Sequence, residues 1–246
     1  MNDSNLRTVR VYLLPTEFEP EQLRGSMAVV VDILRASTTI TTALANGASC
    51  VKPCLTTEDA RAHRVAVKGN CLLGGERGGV RIDGFDLTNS PTDYGSDKVR
   101  NTQIAFTTTN GTRALLRSRI ADHTFIGAFV NLPAIAARLS AGSGDVSIVC
   151  AGTDGEITGE DVLFAGALAA RLRQQGLELS DSAVIAERHW SGSVGQYEQL
   201  SAALCDTQGG RNLLRLGYDR DIRLCAEIGR YETVPRLTDE LLLRGT

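Results

Sequence analysis

No run of apolar residues in this 246-residue chain approaches the roughly 18 needed for a membrane span. The opening MNDSNLRTVR also lacks the apolar centre of a signal peptide. Neither sign of charge dominates: 26 Lys and Arg stand against 29 Asp and Glu, a net charge of −3, which argues against a dominant nucleic-acid footprint. The six cysteines lack metal spacing, because Cys50 and Cys54 in CVKPC have no second close pair to complete a zinc knuckle. Set among apolar neighbours and without a secretory leader, they read as buried thiols rather than disulfides. His63, His123 and His189 are never two at ligand spacing, and no low-complexity linker marks a boundary. These absences point to a cytoplasmic protein, free of membrane and nucleic acid.

What is present is alternation. Short apolar runs (VRVYLLP, MAVVVDIL, SCVKPCL, CLLGG, TQIAFTTT, HTFIGAF, DVSIVCAG) are interleaved with helical patterns (STTITTALAN, TEDARAHRVAVK, GTRALLRSR, LPAIAARLS, GEDVLFAGALAARLRQQG). That order predicts a layered α/β/α protein with a mostly parallel or mixed sheet. The last of these helices reads as strongly amphipathic. After residue 180 the pattern is helical (DSAVIAERHW, VGQYEQLSAALCDT, GGRNLLRLG, DRDIRLCAEI), with YETVPRL as a short last strand. The helical tail is expected either to cover the same sheet, giving one continuous domain, or to wrap a second lobe, with residues 1–135 as an N-terminal α/β lobe and 136–246 as a C-terminal one.

Three units run strand, small-polar loop, helix: VVVDILRASTTITTAL, IAFTTTNGTRALL and VSIVCAGTDGEITGEDVLFAGAL. In open α/β sheets ligands bind beyond the carboxyl ends of strands, where such loops converge, and helix amino ends suit phosphate. Asp32 follows four apolar residues and needs an open strand end or a partner there. Arg35 can pair with Asp32 or grip phosphate with two donors. Ser37 and Thr38 can cap the helix and donate hydroxyls. Asn110-Gly111 before a helix favours an anion cradle, and Arg113 in its first turn opposes the helix dipole unless an anion lies near. Asp154, Glu156, Glu160 and Asp161 bring carboxylates to the third loop, although acidic residues in a first helical turn are ordinary.

The stretch GGERGGVRIDGFDLTNSP, residues 74–91, has five glycines and little packing material. Its Glu76, Asp83 and Asp86, with Arg77 and Arg81, suit an active-site loop or a polar surface loop; carboxylate oxygens there suit a hard cation such as Mg²⁺. Two phosphatase templates are tested. The Asp-x-Asp of haloacid-dehalogenase sites fails, because Ile33 and Leu34 follow Asp32. The Cys-x5-Arg spacing of cysteine phosphatases is met by Cys71 and Arg77, but Glu76 inside that loop would repel a phosphate dianion. Cys150 has Glu156 where its arginine would stand.

Taken in order, VDILRAST, GGERGG…GFDLTNSP, TTTNGTRAL, VNLPA and CAGTDGE…GEDVLFAG resemble the 2-phosphosulfolactate phosphatase family over roughly residues 9 to 170. The resemblance implies an α/β protein whose lobes enclose a cleft, and Mg²⁺-dependent hydrolysis of (2R)-phospho-3-sulfolactate to 3-sulfolactate and phosphate, a step toward coenzyme M. It puts Asp32, Arg35, Glu76, Arg77, Asp86, Asn89, Ser90, Asn110, Gly111, Thr112, Glu160 and Asp161 in the site. Joined to the loop chemistry, the expectation makes Asp32, Arg35, Arg77 and Asn110 catalytic. Asp32, Glu76, Asp86, Glu160 and Asp161 would hold the metal. Ser37, Thr38, Asn89, Ser90, Gly111, Thr112 and Arg113 would bind substrate. The partner expected is a small phosphorylated sulfonate or a related acid, with a homodimer as the assembly. A phosphatase of another phosphorylated anionic acid and a non-catalytic anion-binding module of the same fold are the alternatives.

Overall fold

Met27–Val31 is apolar at all five positions and buried at all five, as expected of a strand covered on both faces. It lies inside a ten-stranded mixed sheet in the computed structural model, which describes residues 6–196 and 199–245. The described elements, in chain order, begin with β1 (Thr8–Tyr12), β2 (Met27–Val31), α1 (Ala36–Ala45), β3 (Cys50–Pro53) and α2 (Thr57–Ala66). Next come β4 (Cys71–Gly75), α3 (Ser96–Val99), β5 (Gln103–Thr107), α4 (Gly111–Arg117), β6 (His123–Gly127) and α5 (Leu132–Ser140). They continue with β7 (Val146–Cys150), α6 (Gly159–Gln174), β8 (Glu178–Leu179), α7 (Asp181–Gln196), α8 (Leu200–Cys205), α9 (Gln208–Arg215) and α10 (Asp219–Cys225). The last are β9 (Val234–Thr238) and β10 (Leu241–Gly245). The α/β expectation holds.

The sheet order is β4-β5-β3-β10-β9-β6-β2-β7-β1-β8. β4, β5 and β3 form one parallel block, and β6, β2, β7, β1 and β8 a second. Between them lies the β9–β10 hairpin, antiparallel to β3 on one side and to β6 on the other. Three antiparallel pairings in succession reverse the strand sense from one block to the other. The loops after β2, β4, β5 and β7 nonetheless meet at a common cleft. One apolar core fills the space between the second block and α5, α6 and α7. Another joins both blocks through α1 and α4, and a smaller one lies under α2 against β4 and β5.

Three sequence expectations are corrected. α6 is not amphipathic: every residue from Glu160 to Ala169 is buried, because α7 covers the face that would otherwise meet water. Gly166 permits this, since a Cβ there would strike the Ala186 carbonyl of α7. The helix expected over 194–207 is divided, with α7 ending at Gln196 and α8 starting at Leu200, while residues 197–198 fall outside the described part. The last strand has a partner, β10, that the pattern did not show. Its turn uses Asp239 and Glu240 at φ 47° and 66°, left-handed backbone that sequence readers expect of glycine or asparagine. Five of the six cysteines are buried and Cys205 is half-buried. Among the described residues no helix is long and apolar enough to cross a membrane.

Candidate active site

The loops that follow β2, β4, β5 and β7 and one face of α9 enclose a cavity of about 480 Å³, within the size range of small-molecule sites. Asp32 lies half-buried on its floor, one residue beyond β2. The Ala36 N–H donates to Asp32 Oδ1 at 3.2 Å, so the amino end of α1 is turned on this carboxyl. Gly111, opening α4, lies against its other oxygen: a Cβ there would come within 2.6 Å of Asp32 Oδ2. Burial pushes the Asp32 carboxyl up to about 7. The Glu76 and Glu160 carboxylates push the same way, while the Ala36 and Gly111 N–H groups oppose them.

Glu76 is buried beside it and ties two loops together. Its Oε2 accepts from the Gly79 N–H at 2.7 Å, and its Oε1 from the Thr109 N–H at 2.9 Å. Gly78 and Gly79 sit at φ 58° and 80° in a two-residue turn that bridges Arg77 to Val80. Two consecutive left-handed residues are the requirement for a type I′ turn, and this explains part of the glycine run. Asp161, in the first turn of α6, accepts from the Ile33 N–H at 2.8 Å and the Gly152 N–H at 3.1 Å, holding the loops after β2 and β7 together. Burial first, then the Asp32 and Glu160 charges, raise its carboxyl well above the usual range. Glu160 is raised too, chiefly by burial, and its Oε2 is buried with no hydrogen-bond partner. Its carboxylate occupies the space where a Cβ of Gly209 would stand.

Arg35 also lines the cavity but is already engaged. Its Nη1 pairs with Asp221 Oδ2 at 2.6 Å, its Nη2 donates to the Gly79 carbonyl at 2.9 Å, and the Tyr218 ring lies 4.3 Å from its Cζ. Ser90 Oγ donates to the other oxygen of Asp221 at 2.6 Å. The Leu34–Arg35 peptide is cis. Asn89 lines the cavity with its side-chain Oδ1 buried and unpartnered. Asn110 accepts from the Asp154 N–H at 3.2 Å.

The structure therefore brings Asp32, Arg35, Glu76, Asn89 and Asn110 to one cavity, with Gly111, Glu160 and Asp161 immediately behind. It does not bring the others there. Ser37 receives the Asp32 N–H, Thr38 donates to the Ile33 carbonyl, and Thr112 receives the Thr108 N–H, all as loop braces. Arg77 spans Glu76 O and Thr107 Oγ1, outside the cavity lining. Asp86 is held by the Leu73 N–H and Arg64 at the sheet edge, and Arg113 is exposed. Cys71 begins β4 and Arg77 lies beyond its end, so an extended strand of about 17 Å separates them and no cysteine cradle forms. Sequence reasoning missed Asp221 and Tyr218, which hold Arg35, and Asn212, Arg215 and Leu216, which form the α9 wall. It also set aside Asp154, which lines the cavity.

The donor set fits a hard divalent cation. The Glu76 and Glu160 charges push the Asp32 carboxyl up, the Asp32 and Glu160 charges push that of Asp161 up, and Glu160 Oε2 is a buried oxygen without a partner. Among the described residues no group of three acidic, histidine or cysteine side chains could hold a metal by itself. Mg²⁺ does not need one, because it commonly takes one or two carboxylates and completes its shell with water and substrate phosphate.

Known proteins resemble this chain over most of its length. The 2-phosphosulpholactate phosphatase family profile matches residues 12–240. A protein of Symbiobacterium thermophilum named probable 2-phosphosulfolactate phosphatase is 40% identical over 225 residues, 89% of this chain and 94% of the relative. Relatives of the same name from Deinococcus radiodurans (39% over 234 residues, 93% and 92%) and Caldanaerobacter subterraneus (34% over 242 residues, 96% and 97%) cover it as fully.

Proposed function

This chain belongs to the 2-phosphosulpholactate phosphatase family, and from that premise we propose that it is a Mg²⁺-dependent phosphoric monoester hydrolase. Its substrate is (2R)-phospho-3-sulfolactate and its products are 3-sulfolactate and phosphate, a step of the coenzyme M biosynthesis type. The observation that carries the reading is the Asp32 carboxyl on the cavity floor, flanked by Glu76 and Glu160 and raised to about 7. Once ionised, carboxylates gathered this closely would repel a phosphate dianion, and a cation held between them would relieve that repulsion.

Asp32 and the unpartnered Glu160 Oε2 would hold the cation, which when bound neutralises phosphoryl oxygens and activates an attacking oxygen. Asp161 is held by backbone N–H groups and Glu76 by backbone N–H groups and the Thr109 hydroxyl, so their part is to fix the loops around Asp32. The amides of Asn89 and Asn110 and the fixed guanidinium of Arg35 orient the substrate, which converts an encounter into a near-attack arrangement.

Phosphate release from racemic 2-phosphosulfolactate, with Mg²⁺ and again after exhaustive EDTA treatment, tests this. Release that EDTA abolishes and Mg²⁺ restores is expected. EDTA-resistant release would remove the cation from the proposal, and no release with Mg²⁺ would remove the substrate and turn attention to other small phosphorylated acids.

A further inference from the structure

The cavity is lined by three carboxylates, Asp32, Glu76 and Asp154, against two guanidinium groups, Arg35 and Arg215. Arg35 is only 2% exposed and its charge is matched by Asp221 at 2.6 Å. Arg215 differs: among the described residues its guanidinium donates only to the neutral side chain of Asn212, one turn back on α9. It is exposed at the cavity edge, so its charge is free for a ligand.

The placement of α9 gives that charge a direction. Gly209, Asn212, Leu213 and Leu216 follow the i, i+3, i+4, i+7 spacing of one helical face, and all four line the cavity. Gly209 lies over the Glu160 carboxylate, at the end proposed for the cation and phosphate. Leu216 meets the Gly79 turn at the other end, where a Cβ on Gly79 would come within 2.7 Å of its Cδ1. Arg215 stands six residues beyond Gly209, about 9 Å along the helix axis. An anion bound with its phosphate at the carboxylate end thus presents its far end to Arg215, with Asn212 holding the guanidinium from behind.

We propose that Arg215 is a specificity-determining residue: it selects phosphomonoesters that carry a second strong anion, a sulfonate, at the end away from the phosphate. The inference rests on the phosphatase reading above. A guanidinium presents paired donors to tetrahedral or planar oxyanions, which an ammonium cannot match.

The test compares kcat/KM on 2-phosphosulfolactate with that on 2-phospholactate, which keeps the phosphate and the carboxylate and lacks only the sulfonate, for wild type, Arg215→Ala, Arg215→Lys and the exposed control Arg220→Ala. Arg215→Ala should lower kcat/KM on the sulfonate substrate by about 10- to 100-fold, mainly through KM. Its loss on 2-phospholactate should be at least about tenfold smaller. Arg215→Lys should recover part of the difference, and Arg220→Ala should match wild type on both. Equal losses on the two substrates, or none, would overturn the inference. If the wild-type protein does not hydrolyse 2-phosphosulfolactate, the substrate reading alone falls, and calorimetric titration of 3-sulfolactate decides about Arg215. Binding weakened tenfold or more by Arg215→Ala supports the inference; binding unchanged, or absent in wild type, overturns it.

Discussion

Arg35 and Asp221 stand 186 positions apart in the chain and meet in the protein interior at 2.6 Å, each nearly inaccessible to water. A buried pair of this kind contributes little relative to a well-packed apolar pair. Losing one member, however, leaves the other charge uncompensated, at a cost of about 3–5 kcal/mol. Asp221→Asn keeps the shape and removes the charge. It should lower the free energy of urea unfolding toward that range, whereas the double change Arg35→Met with Asp221→Leu should recover most of the loss while turnover stays low. An Asp221→Asn protein as stable as wild type would mean that Arg35 finds its compensation elsewhere. Asp32 calls for a different reading, because its surroundings oppose its charge. Asp32→Asn should reduce kcat by orders of magnitude without unfolding the protein, and near-normal kcat would remove Asp32 from the mechanism. Together the two substitutions separate a residue that organises the cavity from one that acts in it.

At the scale of elements, α6 and α7 depend on one missing side chain. Gly166 faces α7 where a Cβ would strike the Ala186 carbonyl and approach Trp190 Cβ to 2.8 Å. Gly166→Ala must therefore push α7 outward, at about 1–3 kcal/mol for overpacking; a lowered Tm with little change in KM is the expected result, since Gly166 lies in the packing layer and not on the cavity. The same contact shows why parts of the fold were illegible in the sequence. α6 reads as one apolar stripe with a polar back, and only the approach of α7 through Gly166 explains why Glu160–Ala169 is buried all round. β2, in contrast, announces itself, because a run of apolar residues ending in Asp32 leaves the charge no place but an open strand end. Glu76 and Asn110 could be found because each sits in a polar loop between a strand and a helix, and Glu160 and Asp161 because they open the helix that such a loop feeds. Asp86 sits in an equally suggestive loop but is drawn off by Arg64 and the Leu73 N–H. Asp221 could not be found, since DRDIRLC reads as a solvated helix and its burial depends on Arg35 arriving from the far end of the chain.

At the scale of the whole molecule, folding collects carboxylates that are scattered in sequence. Asp32 comes from the loop after β2, Glu76 from the loop after β4, and Glu160 and Asp161 from the start of α6. Gathering them costs free energy, and the cost depends on pH in a definite direction. Asp32 titrates near 3.8 when free and at about 7 in the folded protein. Between those values the unfolded chain releases a proton that the folded chain keeps, so the folded state binds more protons and stability falls as pH rises. Glu160 and Asp161, both raised, add to the same slope. In EDTA, Tm should therefore be lower at about pH 7.5 than at about pH 5. Asp32→Asn should flatten the slope and raise Tm at the higher pH. A divalent cation binds the ionised carboxylates and competes with their protons, so millimolar Mg²⁺ should raise Tm more at about pH 7.5 than at about pH 5. A wild-type Tm in EDTA that stays level or rises between those pH values would contradict the linkage. A slope that Mg²⁺ leaves unchanged would show that these carboxylates repel one another without serving a metal. The expected pattern would instead tie the pH-dependent loss of stability to the carboxylates gathered in the cavity, and its relief by Mg²⁺ to the cation proposed for them.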